Sequence, residues 1–130
     1  MNVTESVENY LETIHILSLT HPQVHAIDIC NHLNFSRPTV SIVLRQLKDG
    51  GFVSVDENNH IWLTDKGLAI ATHMYERHQL LTRLFISIGV SPEMAQHDAC
   101  KIEHDLSDET FAAIKHHFET EHLNGAEAGK

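Results

Sequence analysis

The chain has 130 residues, 42% of them hydrophobic, which is enough for a globular core and too many for a disordered chain. Eighteen Asp and Glu oppose nine Lys and Arg, a net charge of −9 that excludes a uniformly basic nucleic-acid binder. Any DNA contact must then come from a local patch, a dimer surface or charge offset by bound cations. The length suits one domain or two small units sharing a core. No apolar run is long enough to span a bilayer, no signal-peptide pattern opens the chain, and Cys30 and Cys100 make no disulfide framework, so a cytoplasmic protein is expected.

Thr4 can cap a first helix running to about Leu19, with Val7, Leu11, Ile14 and Leu17 as its buried stripe. His21-Pro22 ends it. Ala26 to Leu33 reads as a short helix, and Asn34-Phe35 turns the chain. Ser36 then caps a further helix with Pro38 in its first turn and Val40, Val43, Leu44 and Leu47 inward; Gly50-Gly51 stops it. Short helix, tight turn and capped helix form a helix-turn-helix pattern, although an ordinary antiparallel helix pair has the same outline. The strand-like runs Phe52-Val53-Ser54-Val55 and His60-Ile61-Trp62-Leu63, joined by Asp56-Glu57-Asn58-Asn59, favour the winged variant.

Thr64 can cap a long helix from Asp65 to about Ile88, striped by Ile70, Met74, Leu81, Phe85 and Ile88, with His78 inside the stripe. Ser91-Pro92-Glu93 opens the next helix, which turns Ala95, Ala99, Ile102 and Leu106 inward. Read as helix, Asp98-Ala99-Cys100-Lys101-Ile102-Glu103-His104 places Cys100, Glu103 and His104 at i, i+3 and i+4. A thiol, a carboxylate and an imidazole on one side suit a divalent transition metal, while three polar residues on a helix flank are more often a solvated edge. Ser107-Asp108-Glu109 starts a last helix with Phe111, Ile114 and Phe118 on one face, an apolar face expected to pair in a dimer. The division expected is 1–70 as DNA-binding domain, 71–123 as metal-binding and dimerisation helices, and 124–130 as a flexible tail.

Taken together, Ser6 to Ile14, Ala26-Ile27-Asp28-Ile29, Ser36-Arg37-Pro38-Thr39-Val40-Ser41, Leu63-Thr64-Asp65-Lys66-Gly67, Arg77-His78-Gln79-Leu80-Leu81, Ile88-Gly89-Val90 and Asp98 to Asp108 resemble the diphtheria toxin repressor family of iron- and manganese-dependent repressors. The resemblance covers nearly the whole chain, and its last stretch is the most specific. It implies a mainly α fold: an N-terminal winged helix-turn-helix with a small β-hairpin wing, followed by a helical metal-binding and dimerisation domain.

The resemblance also implies a metal site. Glu12, His78, Cys100, Glu103 and His104 match family ligand positions, and Asn9 stands where the manganese branch has Asp and the iron branch Met. Cys100 matches the iron branch; the short chain matches the manganese branch, since iron-type members usually carry an extra SH3-like domain. The iron branch's ancillary site does not carry over, because Thr82 and Gln96 occupy two of its ligand positions. The mixed donor set suits Fe²⁺, Co²⁺, Ni²⁺ or Zn²⁺; availability in a reduced cytoplasm puts Fe²⁺ first and Mn²⁺ second as the physiological ion.

The protein expected is a homodimeric repressor, not an enzyme, that binds a double-stranded DNA operator and controls metal-uptake genes, with no membrane or small organic substrate. Ser36, Arg37, Pro38, Thr39 and Ile42 are its DNA-contacting residues, with Arg45 and Lys48 adding charge. Two rival readings are a winged-helix regulator gated by an organic effector or by thiol oxidation at Cys100, and a small metalloenzyme.

Overall fold

The computed structural model describes residues 3–128, with side chains described to residue 121. Six helices and one hairpin follow in the order α1 Glu5–Ser18, α2 Ala26–Leu33, α3 Arg37–Asp49, β1 Val53–Val55, β2 Ile61–Leu63, α4 Asp65–Ser87, α5 Pro92–Ile102 and α6 Asp108–Ala128. The chain forms two compact units, Met1–Tyr75 and Glu76–Lys130, so α4 contributes to both. The expected tail, 124–130, lies beyond the described side chains.

In the front unit each helix starts on local chemistry. Thr4 Oγ1 accepts the Val7 N–H and Ser36 Oγ accepts the Thr39 N–H, each satisfying one orphan amide of a first turn. Asn34 takes a left-handed conformation (φ 59°), and the Phe35 N–H returns to the Cys30 carbonyl, closing the tight turn between α2 and α3. Val7, Leu11, Ile14 and Leu17 of α1 are buried with Ile29, Val40, Leu44 and Leu47, and with Phe52, Val53 and Ile61 of the hairpin. Tyr10 packs against Phe35 with ring centroids 6.2 Å apart; burial, with Cys30 adding, pushes its phenol pKa up, so it stays neutral. The antiparallel hairpin pairs Val53 with Leu63 and Val55 with Ile61.

The stretch Leu63 to Gly67 locks the hairpin to α4. Thr64 Oγ1 donates to the Gly51 carbonyl at 2.6 Å and accepts the Gly67 N–H, so one hydroxyl holds a turn and caps a helix. Lys66 Nζ donates to the Gly50 carbonyl at 3.1 Å and sits 4.3 Å from the centre of the Phe52 ring. Gly67 lies against the Phe52 backbone, and a Cβ there would fall inside the Phe52 carbonyl oxygen. Backbone cannot yield as a side chain can, so Gly67→Ala is expected to destabilise the front unit by about 3 kcal/mol. Thermal unfolding checks this, and a midpoint within a degree of wild type would contradict it.

In the rear unit, Leu80 packs with Phe111 and Phe118, and Leu84 and Ile114 lie against them. Phe111 and Phe118 are thus buried within the chain, and that face of α6 needs no second copy to cover it. Among the described residues of this unit, the large hydrophobics left exposed are Ile86, Ile88 and Met94. Ile88, expected in the buried stripe, is 70% exposed because α4 ends at Ser87 and the chain turns at Gly89 (φ 105°). Among the described residues no helix is long and apolar enough to cross a membrane.

Candidate metal centre and DNA-facing surface

The rear unit holds a buried carboxylate between two imidazoles. Glu103 is 0% exposed; its Oε2 lies 3.0 Å from His78 Nδ1 and its Oε1 3.4 Å from His104 Nε2. The His104 side chain is 3% exposed and that of His78 24%. A carboxylate removed from water needs a compensating cation, and either imidazolium or a metal can supply it. One oxygen and two borderline nitrogens form a partial donor set for a divalent transition ion.

Where these residues sit departs from a single helix. Helix α5 ends at Ile102; Glu103 is its C-cap in right-handed conformation and His104 lies in the following turn. The cause is Arg77, which sequence reading did not pick out as functional. Its Nη1 donates to the carbonyls of Glu103 at 2.9 Å and Leu106 at 2.6 Å, and its Nη2 to Asp108 Oδ1 at 2.6 Å. It is 3% exposed, with the guanidinium carbon 5.1 Å from the Phe111 ring centre. One planar fork gathers the carbonyls that the α5 terminus leaves over, and the backbone of Glu103 is fixed by it.

Cys100 is exposed, one turn earlier on α5. Glu12 and Asn9 lie on α1 in the front unit, Glu12 buried at 4% and Asn9 half-buried. An acid buried on a helix whose other inward residues are mostly apolar is a costly placement that packing alone does not require.

The outward face of α3 carries the expected DNA-contacting residues. Ser36, Arg37, Pro38, Thr39 and Ile42 are all exposed, Ile42 at 60%. The Thr39 hydroxyl also meets Ser36 Oγ at 2.8 Å, a second contact across the first turn of α3. Arg37, Arg45 and Lys48 line a groove of about 550 Å³ whose other wall includes Asn58 and Asn59 of the hairpin. Local positive charge beside the N-terminus of α3 thus stands within an acidic chain. The acidic hairpin tip has a structural role: Asp56 Oδ1 accepts the N–H groups of Asn58 and His60, both at 2.9 Å, and so closes the turn.

A helix-turn-helix with a hairpin wing, joined to a helical unit with a buried Glu–His pair, defines a winged-helix regulator of the metal-responsive class. Residues 2–61 match the iron dependent repressor N-terminal DNA binding domain, and residues 64–121 the iron dependent repressor metal binding and dimerisation domain. The chain belongs to this family of metal-dependent transcriptional repressors.

It is 34% identical over 110 residues to the transcriptional regulator MntR of Salmonella typhimurium, a match covering 85% of this chain and 70% of that one. It is 32% identical over 108 residues to the iron-dependent repressor IdeR of Mycobacterium tuberculosis, covering 82% of this chain and 47% of that one. Among solved structures it resembles IdeR of T. acidophilum, with TM-score 0.76, 27% identity, and coverage of 92% of this chain and 55% of that chain.

Proposed function

We propose that this protein is a metal-activated repressor that binds an operator as a homodimer in the cytoplasm and controls metal uptake. The observation that carries the reading is Glu103, wholly buried with an imidazole nitrogen on each oxygen. His78, Glu103 and His104 hold the ion, and Glu12, Asn9 and Cys100 complete the ligand set that the family resemblance implies. The ion supplies positive charge that stabilises these groups together. Glu103 and His104 offer their lone pairs, Arg77 fixes the backbone that carries them, and His78 presents its ring from α4. Fe²⁺ is the first candidate and Mn²⁺ the second, since relatives named for each metal exist. The exposed Ile86, Ile88 and Met94 offer an apolar surface for the second copy.

On the DNA side, Ser36, Arg37, Pro38, Thr39 and Ile42 meet the major groove, while Arg45 and Lys48 attract phosphate. Anaerobic titration of operator DNA with metal-free protein, then with each divalent ion, tests the reading. The expected result is a gain of tenfold or more, equal to about 1.4 kcal/mol, with Fe²⁺ or Mn²⁺. Equal affinity with and without every ion would overturn it. In the same assay Arg37→Ala is expected to lose about 1–3 kcal/mol if Arg37 makes a bidentate base contact. If it meets phosphate instead, specific and nonspecific binding fall together and the salt slope flattens. Unchanged affinity at every salt concentration would remove Arg37 from the interface.

A further inference from the structure

Ile42 is out of place on a helix surface. It is 60% exposed, more than any other large hydrophobic among the described residues of the front unit. A β-branched side chain in that position serves neither helix propensity nor the core. It sits on the outward face of α3, one turn after Pro38 and one turn before Arg45 and Gln46, all of them exposed.

The two flanks of this ridge differ in chemistry. On the wing side Arg37, Ser41, Arg45 and Lys48 line the groove shared with Asn58 and Asn59. On the other side Val43, Gln46 and Asp49 line a hollow with Thr4 and Val7 of α1. Ile42 lines neither and stands at the crest between them. The hydroxyls of the first turn are engaged in capping, since Ser36 Oγ accepts the Thr39 N–H and meets the Thr39 hydroxyl. At the crest, α3 therefore offers a base edge no donor or acceptor, only methyl and methylene groups.

Base-pair edges in the major groove are mostly donors and acceptors, and the C5-methyl of thymine is the apolar group that projects there. An apolar side chain pressed on any other edge takes water from a polar group and returns no hydrogen bond. Against thymine it buries one apolar group on another. We propose, on the reading of α3 as the DNA-contacting helix, that Ile42 is a specificity-determining residue that selects the C5-methyl of a thymine at the operator position facing the middle of α3. The cations on the wing-side flank hold the helix against phosphate whatever the sequence, and Ile42 supplies discrimination.

The experiment starts from a duplex selected out of a randomised pool by the full chain, with and without added Fe²⁺ or Mn²⁺, so that its readout does not depend on metal activation. Each thymine is then replaced in turn by deoxyuridine, which keeps every hydrogen bond and lacks only the methyl. For wild type, replacement at one position per half-site is expected to weaken binding about fourfold, the equivalent of the ~0.8 kcal/mol of one buried methyl. Ile42→Ala is expected to bind the thymine duplex more weakly than wild type and to lose the sensitivity at that position. Its affinity for random-sequence DNA at low salt should stay within about twofold of wild type, because no charge is removed. Ile42→Gln is expected to lose the preference for thymine there. Wild type indifferent to deoxyuridine at every position would overturn the assignment, and so would an Ile42→Ala protein as sensitive as wild type at each of them. Selection of no preferred duplex would overturn α3 as the reader, and the assignment with it. A preferred duplex whose binding needs Arg37 but ignores the loss of every thymine methyl would overturn the assignment alone.

Discussion

Replacing His104 with alanine should abolish the gain in operator affinity on adding metal. The imidazole is nearly fully buried, and its Nε2 stands 3.4 Å from Glu103 Oε1. Alanine removes a nitrogen donor and leaves Glu103 buried with one imidazole fewer. Loss of a group that merely orients a ligand costs 10–100-fold in metal affinity, and loss of a ligand is expected to cost at least as much, about 2.7 kcal/mol or more. Glu103→Ala should have the same effect, since His78 and His104 then face each other without the carboxylate between them. Cys100→Glu, which exchanges a soft donor for a hard one, should turn the preference toward Mn²⁺ without abolishing activation. The measurement is operator affinity against each ion for wild type and the three variants. If His104→Ala gains affinity on metal as wild type does, the centre does not lie at Glu103.

Much of the fold was legible because its signals are local. Thr4, Ser36 and Ser91 cap the helices that their spacing predicts, since a cap needs only a hydroxyl three residues ahead of an amide. The hairpin followed from two short β-rich runs around a polar turn, and His78, Glu103 and His104 from a family resemblance that the buried cluster supports. Burial that depends on contacts far along the chain was not legible. The Phe111 and Phe118 face reads as unpartnered from its own helix, and only Leu80, about thirty residues away, shows what covers it. The pairing of Val24 with Ile61 was hidden for the same reason, since the two lie far apart in sequence and meet only in the folded chain. The polar turn at Asp56-Glu57-Asn58-Asn59 was legible as a turn, and the hydrogen bonds to Asn58 and His60 give Asp56 its role in closing it.

Arg77 was the least legible residue of the rear unit, because its partners lie 26 to 31 positions away. Arg77→Met should have the largest effect on stability of any substitution considered. Methionine fills similar volume but leaves the carbonyls of Glu103 and Leu106 without the donor that holds them, in a place where the residue is 3% exposed. Each orphaned carbonyl costs about 1–3 kcal/mol, and removing one partner from a buried charged network about 3–5 kcal/mol. The expected loss is therefore about 3–5 kcal/mol. The pair with Asp108 contributes little of this, because the Asp108 side chain is 87% exposed; Asp108→Ala should cost less than about 1 kcal/mol. Arg77→Lys should fall between, since an ammonium cannot reproduce the fork across two carbonyls. Urea unfolding of the three variants gives the order, and amide exchange from Glu103 to Phe111 locates the loss. Metal affinity should fall with stability in Arg77→Met, since the backbone of Glu103 is no longer fixed. An Arg77→Met protein within 1 kcal/mol of wild type would show that the turn after α5 is held by something other than Arg77.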